Sequence, residues 1–273
     1  MRYFRRREVV QTGFFAGASA IVAVMPVSGI ATPAWEPWRD LVNFLPNQAQ
    51  LEAQRRSRGR PPLEWEVQRI ENASKPTLNL DRYDVAITRL PTSGPAAGSA
   101  QQLYTHVRRN ISSFLDPSIA VLRAHLATDQ DEWSLAQPPT GCMMVFGIKR
   151  WGAEAERGAV VVSQSSGLRW RFSPVRIGRL VLGTHPVAGN REFALEPAGS
   201  GAHIFSVRAA DRAYDATPTE TMVLDGAKDC WRAFQTRLVA FIRTHGGLAE
   251  ARPPLVLAPA WQDAVQHRLF TRT

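Results

Sequence analysis

Residues 229–245 read DCWRAFQTRLVAFIRTH, and this stretch decides the layout of the chain. Trp231, Phe234, Leu238, Phe241 and Ile242 recur mainly three and four apart, the period of a helix with one apolar face. Gly246-Gly247 supplies the stop. So long a stripe of large side chains has to be covered by a second layer. The segments just upstream offer one, because there the apolar period is two. Cys142 to Ile148 is a continuous apolar run, and Ala159 to Gln164 is another. Ser165-Ser166-Gly167 is a turn, and Leu168 to Phe172 alternates apolar and basic residues. Arg191 to Glu196 and His203 to Ala209 make a second hairpin across Pro197-Ala198-Gly199-Ser200-Gly201. The back of the chain is therefore an antiparallel sheet packed on a long C-terminal amphipathic helix.

The front half reads as mainly helical. Leu41, Phe44, Leu45, Gln48 and Leu51 follow helical spacing, which Pro46 breaks into two short pieces. Tyr83 to Thr88 alternates like a strand. Thr92 to Ala100 (TSGPAAGSA) has the composition of a flexible joint. Leu103, Val107, Ile111 and Phe114 put one helix over about 100–115, ended by Asp116-Pro117. A second helix is expected over Pro117–Ala127, with Ile119, Leu122 and Leu126 inward. Asp129, Asp131 and Glu132 form an acidic corner before Trp133. The fold class is thus α+β. The expected division is 1–31 as a leader, 32–99 as an extended or helical segment with a linker, 100–250 as the α+β domain, and 251–273 as a tail.

The chain has 273 residues, 44% hydrophobic and 21% charged, a globular balance that excludes collagen-like, coiled-coil and disordered classes. Its N-terminus has the layout of a secretory signal peptide: Arg5-Arg6-Arg7, the apolar run Gly13–Val24, then the small residues Gly29 and Ala31. Arg6-Arg7-Glu8-Val9-Val10-Gln11, followed by a Gly/Ala-rich core, resembles a twin-arginine export signal. That resemblance implies the export machinery as a partner and a periplasmic or secreted product. Cleavage after Ala31 removes four Arg and one Glu and lowers the net charge from +9 to +6. Arg55–Arg60 keeps four arginines in six residues, with no aromatic residue among them to stack on bases. It reads as a solvated basic loop, and no nucleic-acid partner is expected. In an oxidising compartment the two cysteines, Cys142 and Cys230, invite a disulfide.

Candidate chemistry is sparse. None of the six histidines sits in a zinc spacing, and no G-x-S-x-G elbow, P-loop or dinucleotide fingerprint occurs, so no metal or cofactor is expected. Ser163–Gly167 is better read as a hairpin turn than as a nucleophile. The apolar flank of Cys142 argues for burial. What remains is GTHPVAGNREFAL, residues 183–195. Here His185 could serve as acid or base, Asp211 as its orienter and Arg191 as an anion clamp. The alternative is a purely structural ion-pair cluster of Arg191, Glu192, Arg208 and Asp211.

The order GTHPVAGNREFAL, then GAHIFSVRAADR at 201–212, then the long helix, resembles the end of helix-grip, START-like ligand-binding families. The resemblance implies a curved sheet wrapped round the helix, with an apolar cavity between them. Trp170, Phe193, Phe205, Trp231 and Phe234 are the aromatic residues expected at such a site. The leading expectation is an exported protein binding a small apolar or amphipathic ligand. A periplasmic hydrolase or effector enzyme built on His185 is the second. A structural or partner-binding protein using Trp35 and Trp38 is the third. The oligomeric state is left open.

Overall fold

The computed structural model describes residues 34–150, 153–178, 184–214 and 220–271. The expected leader and its export signal lie outside them. Two short helices, α1 (Arg39–Asn43) and α2 (Gln48–Ser57), precede strands β1 (Trp65–Val67) and β2 (Asn79–Arg89). Helices α3 (Ala100–Arg109) and α4 (Ile111–Phe114), strand β3 (Ala120–Ala124) and helix α5 (Ala127–Trp133) follow. Then come β4 (Met143–Arg150), β5 (Ala153–Ser166), β6 (Arg169–Ile177), β7 (Val187–Pro197) and β8 (His203–Ala213). Helix α6 (Glu220–Thr244), strands β9 (Leu248–Ala251) and β10 (Leu255–Leu257) and helix α7 (Trp261–Gln266) complete the chain. Among the described residues, no helix is long and apolar enough to cross a membrane.

The ten strands among the described residues form one antiparallel sheet in the order β10-β2-β8-β7-β6-β5-β4-β3, with β9 beside β2 and β1 beside β6. One face holds α6 together with α3 and α4. Trp231, Phe234, Leu238 and Ile242 of α6 pack with Leu103, Tyr104, Val107 and Phe114 and with Trp170, Phe193, Phe205 and Val207 of the sheet. This is the mixed helix and antiparallel-sheet fold read from the periodicities. The helix begins nine residues earlier than the apolar stripe suggested. Gly246, at φ +79°, ends it, with Gly247 N–H donating to Ile242 O at 2.9 Å.

The other face of the sheet is covered as well. Trp38, Leu41 and Val42 from the N-terminal segment meet Leu78, Leu80, Ala210, Ala264 and Leu269. Leu51, Trp65 and Val67 meet Met143, Val161 and Val175. Trp38 is fully buried and donates its indole N–H to Asp81 O at 3.0 Å, and Trp35 packs against His267. These two tryptophans therefore serve the fold rather than a partner surface.

Four expectations need correction. The segment 117–127 contains strand β3 rather than a helix, because it pairs with β4 as the last strand of the sheet. The strand buries Ala120 and Leu122 at period two, whereas the helical reading rested on Ile119, Leu122 and Leu126 at three and four. The divisions after 99 and after 250 dissolve: β2 pairs with β8 over Asn79–Ile87, while β9 and β10 close its far side. The Gly/Pro-rich joint is pinned, not loose, since the Thr92 and Ser93 amides donate to His245 O at the end of α6. The basic run is not a solvated loop either. Arg55 pairs with Asp129 at 3.1 Å, and Arg58 and Arg60 pair with Glu132 at 2.7 and 2.6 Å. The basic run and the acidic corner neutralise one another, a pairing that two separately polar segments do not announce. Cys142 lies close to both of these carboxylates, each of which accepts from a guanidinium through one oxygen.

The expected disulfide is absent. Cys142 and Cys230 are both free and buried. Cys142 turns its thiol to Asp129 O at 3.3 Å, while Cys230 sits on α6.

Candidate functional site

The sheet is not paired evenly, and the site lies where the pairing changes. Strand β6 bonds to β7 only over Arg169–Phe172. Beyond that come Ser173 and Pro174, and a proline cannot donate to a ladder. From Val175 to Ile177 the partner of β6 is β1 instead. Strand β7, meanwhile, continues along β8 back to Val187. The two halves of the sheet thus part at one end of the groove, and Gln68 fills the fork. Its amide N–H donates to Pro174 O at 2.9 Å. Its side chain accepts from His185 N–H at 2.6 Å and donates to His185 O at 2.9 Å and Val187 O at 3.2 Å. A single buried glutamine therefore fixes the backbone on which His185 stands.

The imidazole is seated as firmly. His185 Nδ1 lies 3.2 Å from both the amide nitrogen and the carbonyl oxygen of Val187. The ring lies over Gly158 of β5, where an added Cβ would fall 2.1 Å from His185 Cδ2. Burial pushes the imidazole down to about 4, reinforced by the nearby Arg191 charge. His185 is consequently neutral at physiological pH.

Beside it, Arg191 of β7 reaches across β8 to β2. Its two terminal nitrogens bond Asp81 Oδ1 and Oδ2 at 2.9 and 2.8 Å, and Nη2 lies 3.4 Å from Asp211 Oδ2. Its guanidinium also lies over the Trp231 ring, 4.5 Å from the centroid. Asn79 Nδ2 links the two carboxylates, donating to Asp81 Oδ2 at 3.0 Å and Asp211 Oδ1 at 3.1 Å. Asp211 is buried, which raises its carboxyl to about 7. The Arg191 charge opposes that rise and the Asp81 charge adds to it.

Between the sheet and α6 lies a cavity of about 290 Å³. His185, Asn190, Arg191, Asp211 and Lys149 are its polar lining residues. The rest is apolar: Ile119 and Leu122 of the edge strand, Phe146 and Val160, Phe172 and Phe193, and the Val223, Ala227 and Trp231 face of α6. Gly226 opens the helix wall at this place, since a Cβ there would meet no atom within 4 Å. Cys230 lies one turn further along the same lining.

His185, Arg191 and Asp211, the three residues singled out from the sequence, thus share one cavity end. They do not form the expected relay: Asp211 bonds Asn79 and Arg191 rather than His185, and the Arg191 fork is filled by Asp81. The structural alternative also divides. Strand alternation sends Glu192 and Arg208 to the opposite face, where Glu192 joins Arg171 at 2.6 Å and Arg208 at 2.8 Å, and Arg208 bonds Asp40 at 2.9 Å. Of the expected aromatic residues, Phe193 and Trp231 line the cavity. Trp170, Phe205 and Phe234 are fully buried behind it. Trp170 stacks on Phe193 with centroids 4.4 Å apart, and Phe205 meets Phe234 at 5.6 Å. Gln68, Asn79, Asp81 and Gly158 were not found by sequence reasoning. Only the alternation of Asn79 and Asp81 with Tyr83 on one face of β2 carried a signal.

No family model and no curated protein sequence matches the chain. Among solved structures, the chain is similar to a START superfamily protein from Mycobacterium smegmatis, with 10% identity over 61% of this chain and 98% of that one and a TM-score of 0.39. It is also similar to ginseng major latex-like protein 151 from Panax ginseng, with 10% identity over 59% of this chain and 97% of that one and a TM-score of 0.34.

Proposed function

We propose that this protein binds a small apolar or amphipathic ligand between its sheet and α6. The observation that carries this reading is the cavity itself. Its volume of about 290 Å³ stands at the lower edge of the range typical of small-molecule sites, roughly 300–1,000 Å³. Its walls are mostly apolar, and Asn190, Arg191 and Asp211 among its polar groups are held by hydrogen bonds to the protein. Gly226 adds support. A glycine inside a helix costs about 1 kcal/mol relative to alanine, and here it keeps open space beside the cavity. A hydrolytic role for His185 is less well supported, because the ring is neutral, tied at Nδ1 and without a carboxylate orienter. Export through the N-terminal signal belongs to the same proposal, and a mature N-terminus near Thr32 in periplasmic material is its check.

The binding test is titration with the neutral fluorescent probe N-phenyl-1-naphthylamine. Saturable binding is expected for the wild type, together with its loss in Gly226→Phe, which would project a ring into the cavity, while the helical circular dichroism is retained. Absence of saturable binding in the wild type, or equal binding in a folded Gly226→Phe, would overturn the reading.

A further inference from the structure

The polar end of the cavity constrains the head group of its ligand. Its charged side chains are Arg191 and Asp211, with Asp81 behind them on the Arg191 guanidinium. The Arg191 fork, the natural receptor for a carboxylate, is already closed on Asp81 through both terminal nitrogens. An incoming carboxylate would be the third acid around one guanidinium. An incoming ammonium would lose its hydration among apolar walls and meet Arg191. His185 offers what the charged groups do not. Its Nδ1 is held by Val187, its Nε2 has no protein partner among the described residues, and the side chain lines the cavity at 8% exposure. Asp211 keeps unused lone pairs, since each of its oxygens takes one bond.

We propose that this end receives the hydroxyl group of an otherwise apolar, uncharged alcohol, held between His185 Nε2 and the Asp211 carboxyl group. A hydroxyl is one donor and two acceptor lone pairs in a single atom, so it can accept from Nε2–H while donating to Asp211, or donate to a bare Nε2 while accepting from the protonated carboxyl. The neutral state of His185 and the raised carboxyl of Asp211 suit an uncharged guest. Gly158 is part of the device, because without it the imidazole could not lie where it does. This inference rests on the cavity being a binding site.

The experiment compares 1-decanol, decanoate and decylammonium, three head groups on one chain, as competitors of N-phenyl-1-naphthylamine on the full mature protein. Decanol is expected to displace the probe at a concentration about tenfold or more below either ion, a preference of about 1.4 kcal/mol. His185→Leu, Asp211→Leu and Gly158→Ala, which displaces the imidazole without altering it, should each erase most of that preference. Equal or tighter binding of decanoate or decylammonium would overturn the proposal. So would a preference that survives in both His185→Leu and Asp211→Leu. If the probe itself fails to bind the wild type, the cavity reading falls and takes this one with it. If the probe binds and the head groups are not distinguished, only the alcohol assignment falls.

Discussion

Arg191 and Asp81 form a two-pronged ion pair, with both guanidinium nitrogens within 2.9 Å of the two carboxylate oxygens, between strands separated by β8. Asp81 is 1% exposed, so removal of Arg191 strands its carboxylate in the interior, and removal of Asp81 leaves Arg191 only the longer 3.4 Å contact with Asp211. Breaking such a buried pair costs about 3–5 kcal/mol, whereas replacing both members with apolar residues costs much less. Asp81→Leu is therefore expected to lower unfolding free energy in urea by that amount. The double variant Asp81→Leu/Arg191→Leu should recover a large part of it. Two single losses that simply add would show that the pair is not coupled.

The acid dependence of stability follows from two groups with opposite signs. His185 has a folded value near 4 against 6.5 in the unfolded chain. Its contribution is complete above 6.5 and is lost as pH falls through 4, on the order of 3 kcal/mol in all. Asp211 is raised to about 7 from 3.8, so its contribution is complete below 3.8 and is lost as pH rises through 7. Asn is a fair mimic of the protonated carboxyl. Urea unfolding of Asp211→Asn should thus gain on the wild type as pH is raised from 5 to 8, and His185→Phe should flatten the wild-type loss between pH 6.5 and 4. A difference between Asp211→Asn and wild type that is constant with pH would contradict the raised carboxyl.

These two clusters also show how far the sequence could be read. The α6 stripe from Trp231 to Ile242 and the two hairpins announce themselves by period, because each buries one face against a neighbour in the same part of the chain. His185, Arg191 and Asp211 were legible as a neighbourhood, since the hairpin brings β7 and β8 together. Their true partners were not. Asp81 and Asn79 arrive on β2, more than a hundred residues earlier in the sequence, and Gln68 enters through a fork that exists only because β6 changes neighbours. The pairing of Arg55, Arg58 and Arg60 with Asp129 and Glu132 is of the same kind. Local periodicity reports which face is buried, not which distant strand supplies the countercharge.

The cysteines offer a direct measurement. Burial pushes both thiols up, Cys230 to about 12, so neither supplies thiolate at neutral pH. Maleimide labelling of the native protein should modify neither sulfur. Labelling in denaturant without reductant should modify both. Failure to label in denaturant until a reductant is added would establish the bond that the structure lacks.

Helix α6 provides the last prediction, through two positions on one face with opposite surroundings. Phe234 is fully buried and touches Phe114, Phe193, Phe205 and Trp231, with ring centroids 5.6–6.3 Å away. Truncation there removes transfer energy and leaves a void, so Phe234→Ala should cost about 3–5 kcal/mol. Gly226 lies two turns earlier, where a Cβ meets nothing within 4 Å and the backbone is already helical. Gly226→Ala should therefore stabilise the protein by up to about 1 kcal/mol through helix propensity alone. Both values can be read from urea unfolding of the ligand-free protein. The sign at Gly226 is the sharper of the two. If α6 closed down on the sheet in solution and the cavity did not persist, the added methyl would be squeezed and Gly226→Ala would destabilise the fold.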